Sequence, residues 1–191
     1  MPVVHKNRRG HAYYLHVGRT RTGKPKYFFS RKESGELASE LPEGFEIYEH
    51  PDGPIYLRRA LPRLITDEEV AVVERELGRV GLTHRGFVER NLKTLTVYVA
   101  DVGGGLEATL GSIAPFAGGT KLDSLISEFA RYTAVFQFVL TDERRRRFLA
   151  RRYCYLGSVD DWMNIGAAGA LEDVARKYLQ HTNKESYYEL F

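Results

Sequence analysis

The chain has 191 residues and a mass of 21.8 kDa, which is enough for one compact body with an appended module. Its 43% hydrophobic and 28% charged residues exclude an intrinsically disordered chain, and no apolar run is long enough to cross a bilayer. The net charge of +3 hides an asymmetry, because the first 32 residues contain nine lysines and arginines and no carboxylate.

The rest of the chain carries 19 basic residues against all 25 acidic ones, so a basic segment precedes an acidic body. Clustered charge of one sign attracts partners of the opposite sign. The only cysteine, Cys154, excludes an internal disulfide, and the first residues lack the apolar core of a secretory signal. The sequence therefore predicts a soluble, cytoplasmic protein that has no membrane partner.

The first predicted element is an antiparallel hairpin. Its strands, "HAYYLHV" and "KPKYFFS", are rich in aromatic residues, and "GRTRTG" between them supplies two glycines for the turn. A second pair of strands, "FEIYEH" and "PIYLRR", flanks the turn signal "PDG". We therefore predict one four-stranded sheet across residues 11–59, within a basic antiparallel β module that covers residues 1–60.

An α+β body is predicted over residues 61–191. Thr66 and Glu69 match a capping box, and apolar residues at helical spacing extend the helix to about Gly81. The β-branched run "LTVYVA", residues 95–100, then predicts a buried strand.

The next segment is rich in glycine and keeps neither a helical nor a strand period, so residues 101–120 are predicted to be a loop or linker. A helix is predicted over residues 122–131 from its apolar side.

The C-terminal third is predicted to return to strands, at residues 134–142, 147–157 and 160–166. A helix over residues 171–181 has acids at its start and bases near its end, as the helix dipole favours, and residues 186–191 are predicted to close the sheet. Short connections cannot make parallel crossovers. The predicted fold class is therefore α+β, with a small N-terminal antiparallel β module, a mostly antiparallel sheet in the body and about three helices.

The N-terminal hairpin is the strongest candidate for a functional surface. Cations neutralise phosphates and release counterions, flat rings stack on bases, and this hairpin interleaves both. Strand alternation forces some of the rings into a core, so the sharper signal is the turn, where four cations repel one another without a structural need. The candidate nucleic-acid-binding residues of this segment are Arg19, Arg21, Lys24, Lys26, Tyr27, Arg31 and Lys32.

A second basic cluster, "RRRRFLARR", occupies residues 144–152. Basic runs of this kind can contact phosphate, and the alternative interpretation is a solvated hairpin turn. We add Arg144, Arg145 and Arg146 to the candidate nucleic-acid-binding residues.

Catalytic, metal and cofactor signatures are not found. The six histidines are dispersed, Asp160 and Asp161 would point to opposite faces of a strand, and no serine has the glycine spacing of a nucleophile elbow. The sequence therefore predicts a non-enzymatic DNA- or RNA-binding or accessory protein. A protein-interaction module for an acidic partner is the alternative, and an enzyme of unrecognised type is the third hypothesis.

Overall fold

A computed structural model describes residues 1–101, 130–156 and 159–191. These residues form antiparallel β-sheets, two α-helices and one 3-10 turn, which confirms the α+β class. They divide into two compact units, the first containing Met1–Ala60 and the second beginning at Leu61. The predicted loop at 101–120 and helix at 122–131 lie outside the described residues except at their ends. There, Asp101 and Arg131 belong to strands.

The described residues of Met1–Ala60 form five strands, which are β1 (Val4–Lys6), β2 (Ala12–Arg19), β3 (Pro25–Ser30), β4 (Phe45–Glu49) and β5 (Ile55–Arg59). The first three form one sheet in the order β1-β2-β3, and β4 and β5 form a separate two-stranded sheet. The prediction of one four-stranded sheet was therefore wrong.

The backbone hydrogen bonds of β2 give the physical reason. Leu15 donates to Val3 at 3.0 Å, and Val17 donates to Glu36 at 2.9 Å. β1 and the segment around Leu37 thus occupy the edge of β2 that faces away from β3. β4 therefore cannot pair with β2 at Leu15 and Val17.

Buried Asn7 organises the turn between β1 and β2. Its side chain donates to the Gly53 carbonyl at 2.7 Å and accepts from the His11 N–H at 2.8 Å. Arg8 beside it forms an ion pair with Glu49 at 3.0 Å. The first basic residues of the chain are therefore tied into the fold of this unit.

The second unit contains the remaining elements, which are α1 (Asp67–Arg79), β6 (Gly86–Asn91), β7 (Thr94–Asp101), β8 (Arg131–Asp142), β9 (Arg147–Leu156), β10 (Val159–Ala170), α2 (Leu171–Leu179) and the 3-10 turn Glu185–Tyr187. Its five strands form one sheet in the order β10-β9-β8-β7-β6. β6 was not predicted, and β10 is longer than predicted.

The predicted capping box of α1 is confirmed. The Thr66 hydroxyl accepts from the Glu69 N–H, and the Glu69 carboxylate accepts from the Thr66 N–H. Both helices pack their apolar sides on the sheet. The core includes Val73, Leu77, Phe136, Phe138, Phe148, Val174 and Leu179. Neither helix is long and apolar enough to cross a bilayer.

The segment after α2 does not close the sheet, contrary to the prediction for residues 186–191. The Tyr187 ring packs edge-on against Phe136 at 5.2 Å, and its hydroxyl donates to the carbonyls of Val135 and Tyr153 at 2.8 and 2.9 Å. These side-chain contacts hold Tyr187 against β8 and β9, and the segment does not pair as a further strand.

Candidate nucleic-acid interface

The N-terminal basic turn, residues 19–26, is held together by its uncharged residues. The Thr20 N–H donates to the Lys24 carbonyl at 2.8 Å, and the Thr20 hydroxyl accepts from the Lys24 N–H at 3.1 Å. Gly23 has a φ of +80°, so the left-handed conformation falls on the residue type that tolerates it best. The turn therefore keeps its shape without using any of its charged side-chain groups.

The predicted cations of this segment are all exposed. They are Arg19, Arg21, Lys24, Lys26, Arg31 and Lys32. Among the described residues, no carboxylate lies within ion-pair distance of any of them. The ammonium group of Lys26 lies 5.9 Å from the centre of the Phe28 ring. Within the described part of the chain, these charged groups are therefore exposed and have no counterion.

Two aromatic rings of β3 reach solvent. Tyr27 is 36% exposed and lies opposite Val17, while Phe28 is 42% exposed and lies opposite His16. The Phe28 ring stacks on buried His16 at 5.3 Å with an interplanar angle of 12°. His16 is itself fixed by a hydrogen bond of 2.9 Å between its Nε2 and the Lys32 carbonyl. Phe28 is thus an exposed ring on a rigid support.

Tyr27 was predicted as a nucleic-acid-binding residue, and Phe28 was not. The signal was present, because strand alternation already places Phe28 on the same face as Lys26. What alternation does not give is the exposure of that face, which depends on the segments that cover it.

The C-terminal basic turn, residues 143–147, lies in the second unit and joins β8 to β9. Arg144 and Arg145 are exposed, and only the backbone N–H of Arg145 has a described hydrogen-bond partner, the Asp142 carboxylate at 2.8 Å. Their guanidinium groups therefore remain candidates for phosphate contacts.

Arg146 differs from its neighbours because it is bound within the fold. Its Nε donates to Glu69 at 2.9 Å, and its Nη2 donates to the same carboxylate and to the Leu64 carbonyl. The hydrogen bonds that Arg146 donates to the Glu69 carboxylate raise the pKa of Arg146. Its backbone has a φ of +49°, which is unusual for a residue other than glycine. Phosphate would have to compete with Glu69 for this guanidinium.

The carboxylates of β10 have local partners. Asp160 accepts a hydrogen bond from the Tyr153 hydroxyl, which raises the pKa of that tyrosine, and Asp161 accepts from the Trp162 N–H at 2.7 Å. In the part of the chain that the structure describes, no three His, Cys, Asp or Glu side chains gather as metal ligands.

Comparison with protein-family models, curated proteins and solved structures finds no match for this chain.

Proposed function

We propose that this protein is a non-enzymatic nucleic-acid-binding or accessory protein that contacts the phosphate backbone through the hairpin β2–β3. The observation that carries the proposal is the set of six exposed cations on and beside this hairpin, which have no carboxylate partner among the described residues. A cytoplasmic location is part of the same proposal.

The unbound hairpin is destabilised by its own charges. Like charges that share one turn repel each other, and no described ion pair offsets that repulsion. Phosphate removes it and releases condensed counterions, which supplies most of the free energy of sequence-independent binding. Because Thr20 and Gly23 fix the turn, little backbone entropy is lost when the cations meet a ligand.

The exposed rings support a contribution from bases. Phe28 rests on His16 and has a cation beside it, an arrangement on which an unpaired base can stack. Phosphate contacts carry no sequence information by themselves. We therefore expect sequence-independent binding, with single strands preferred wherever stacking contributes.

The test is fluorescence anisotropy with single- and double-stranded DNA and RNA of one sequence. With four to six phosphate contacts, affinity falls on the order of 100- to 1,000-fold between about 50 and about 200 mM salt. Replacing Arg19, Arg21, Lys24 and Lys26 by Ala lowers the salt slope by about 3 to 4 and the low-salt affinity on the order of 100-fold or more.

A matched control removes the same number of charges from the second unit. It replaces four exposed cations by Ala, namely Arg63, Arg75, Lys177 and Lys184. We expect this control to keep most of the affinity and nearly the whole salt slope. Equal losses in both variants would mean that net charge alone drives binding, and salt-insensitive or absent binding to all four probes would refute the proposal.

An acidic protein partner would use the same cations, and purification distinguishes the two ligands. Nucleic acid that remains bound gives high absorbance at 260 nm, and nuclease treatment removes it. A stoichiometric protein that the hairpin variant loses would instead establish the interaction-module alternative.

A further inference from the structure

Arg152 on β9 is a buried cation of the second unit and is only 2% exposed. Its Nε donates to the Leu190 carbonyl at 2.7 Å, and its Nη2 lies 3.4 Å from the Tyr188 carbonyl. The rings of Tyr187 and Phe191 lie 5.7 and 5.6 Å from its guanidinium carbon. Across the described residues, no carboxylate is within ion-pair distance, and Nη1 has no hydrogen-bond partner.

Glu76 is a buried charge of the opposite sign in the same unit, and it is paired with cations. Glu76 is also 2% exposed, yet its carboxylate lies 2.7 Å from Arg79 and 3.7 Å from Arg176. Buried charges are normally paired, because their desolvation is costly without a counterion. Arg152 has carbonyl and aromatic contacts but no counterion among the described residues, so a ligand could still supply one.

A cavity of about 350 Å³ lies along the C-terminal segment, and a second cavity of about 300 Å³ reaches Arg152 itself. The second is large enough for a small ligand. Its lining includes Val135, Cys154, Tyr187 and Tyr188, and Arg152 is the one cation among the lining residues that the structure describes. The cavity thus combines apolar and aromatic walls with one positive charge.

The Tyr187 wall is rigid and uncharged. Its hydroxyl is held by the carbonyls of Val135 and Tyr153, and burial raises the pKa of Tyr187 to about 12. A ligand at neutral pH therefore meets an aromatic ring and not a phenolate. This leaves Arg152 as the group that selects the ligand's charge.

We propose that this cavity binds a small carboxylate with an apolar or aromatic body, and that the carboxylate accepts hydrogen bonds from Arg152. A planar carboxylate matches a guanidinium edge and neutralises one charge, whereas a phosphate dianion would need a second cation, and the described lining residues supply none besides Arg152. This site is independent of the N-terminal basic turn, so either proposal can fail without the other.

Cys154 makes the site directly testable, since it is the only cysteine of the chain and lines the same cavity. Iodoacetate and iodoacetamide alkylate a thiol in the same way. The sulfur forms a bond to the methylene carbon, iodide leaves, and the thiol proton passes to buffer. Iodoacetate carries a carboxylate, which Arg152 would attract. We therefore expect the ratio of the iodoacetate rate to the iodoacetamide rate at Cys154 to exceed the same ratio for free glutathione by on the order of 10-fold.

A competition experiment on the unmodified protein removes any dependence on variants. Benzoate should slow alkylation of Cys154 by neutral iodoacetamide, whereas benzamide, which has the same shape without the charge, should not. Inorganic phosphate serves as a second anion and should protect less than benzoate.

The variant Arg152→Gln should abolish both the iodoacetate preference and the protection by benzoate. Its matched control is Arg151→Gln, because Arg151 lies on the opposite face of β9, where its Nε donates to Asn164 of the neighbouring strand β10 at 2.8 Å. If Arg152→Gln does not fold, the comparison of benzoate with benzamide still decides. The proposal is overturned if benzoate and benzamide protect equally, if neither protects, if phosphate protects more strongly, or if the thiol reacts with neither reagent.

Discussion

The two basic turns of the molecule contain four cations each and use their charges differently. In the N-terminal basic turn, Thr20 and Gly23 make the structural contacts, and the cations extend into solvent. In the C-terminal basic turn, Arg146 takes the left-handed position itself and binds Glu69. A run of basic residues therefore does not define a binding surface until the partner of each charge is known.

The difference arises from contacts that are distant in the chain. Glu69 precedes Arg146 by 77 positions and comes from the first turn of α1, where it also completes the capping box. No described carboxylate reaches the N-terminal basic turn in the same way. The N-terminal basic turn is thus specified by local residues, and the C-terminal basic turn by the packing of α1 beside the β8–β9 connection.

Among single substitutions, adding a carboxylate to the N-terminal basic turn is expected to give the largest effect. Thr22→Glu places an acid among the cations, where it repels phosphate and competes for them, and nucleic-acid affinity at low salt should fall about 10-fold. Thr22→Gln should stay within about 2-fold, since the added length carries no charge. Equal affinities for these two variants would contradict a phosphate-binding role for this turn.

Removing Arg146 from the C-terminal basic turn should reduce the stability of the protein. Arg146→Ala leaves Glu69 with its cap contact alone, and we expect the free energy of unfolding to fall by about 1–2 kcal/mol, a value discounted because Arg146 is 37% exposed. Arg145→Ala should change it by less than about 0.5 kcal/mol. Urea unfolding of both variants measures the difference, and indistinguishable midpoints would show that the Arg146–Glu69 pair adds nothing.

Changing the residue that has a positive φ in each basic turn should have smaller effects on stability, and the two effects should have opposite signs. Gly23→Ala places a side chain at a φ of +80°, and it should cost about 1 kcal/mol, although the added carbon meets no atom. Arg146→Gly should be more stable than Arg146→Ala by up to about 1 kcal/mol, because glycine relieves the strain at +49°. Thermal unfolding of the three variants tests both signs.

The parts of the fold that could be predicted from the sequence depend on local signals. Thr66 and Glu69 lie three positions apart, so their capping box is visible in the sequence, and the aromatic runs around "GRTRTG" indicate the hairpin. β1 and β6 were missed because short strands of mixed polarity give no clear period. The separation of β4 and β5 from the first sheet depends on which segment reaches the edge of β2.

The candidate site shows the same limit. The exposed cations of the N-terminal basic turn could be selected from the sequence, whereas the pairing of Arg146 could not. Arg152 is an intermediate case. Phe148 and Ala150 precede it by four and two positions on the same face of β9 and are buried, so strand alternation already indicates that Arg152 points inward. Its basic neighbours suggested a solvated run and obscured that parity.

The position of β3 at the end of the order β1-β2-β3 has a further consequence for self-association. An edge strand offers unpaired backbone groups to another copy of the chain, and lysines on such a strand discourage that pairing. Lys24 and Lys26 flank the start of β3, beside exposed Tyr27 and Phe28. The same charges that attract an anion would then keep two edges apart, and a chain that lacks them should aggregate at lower concentration.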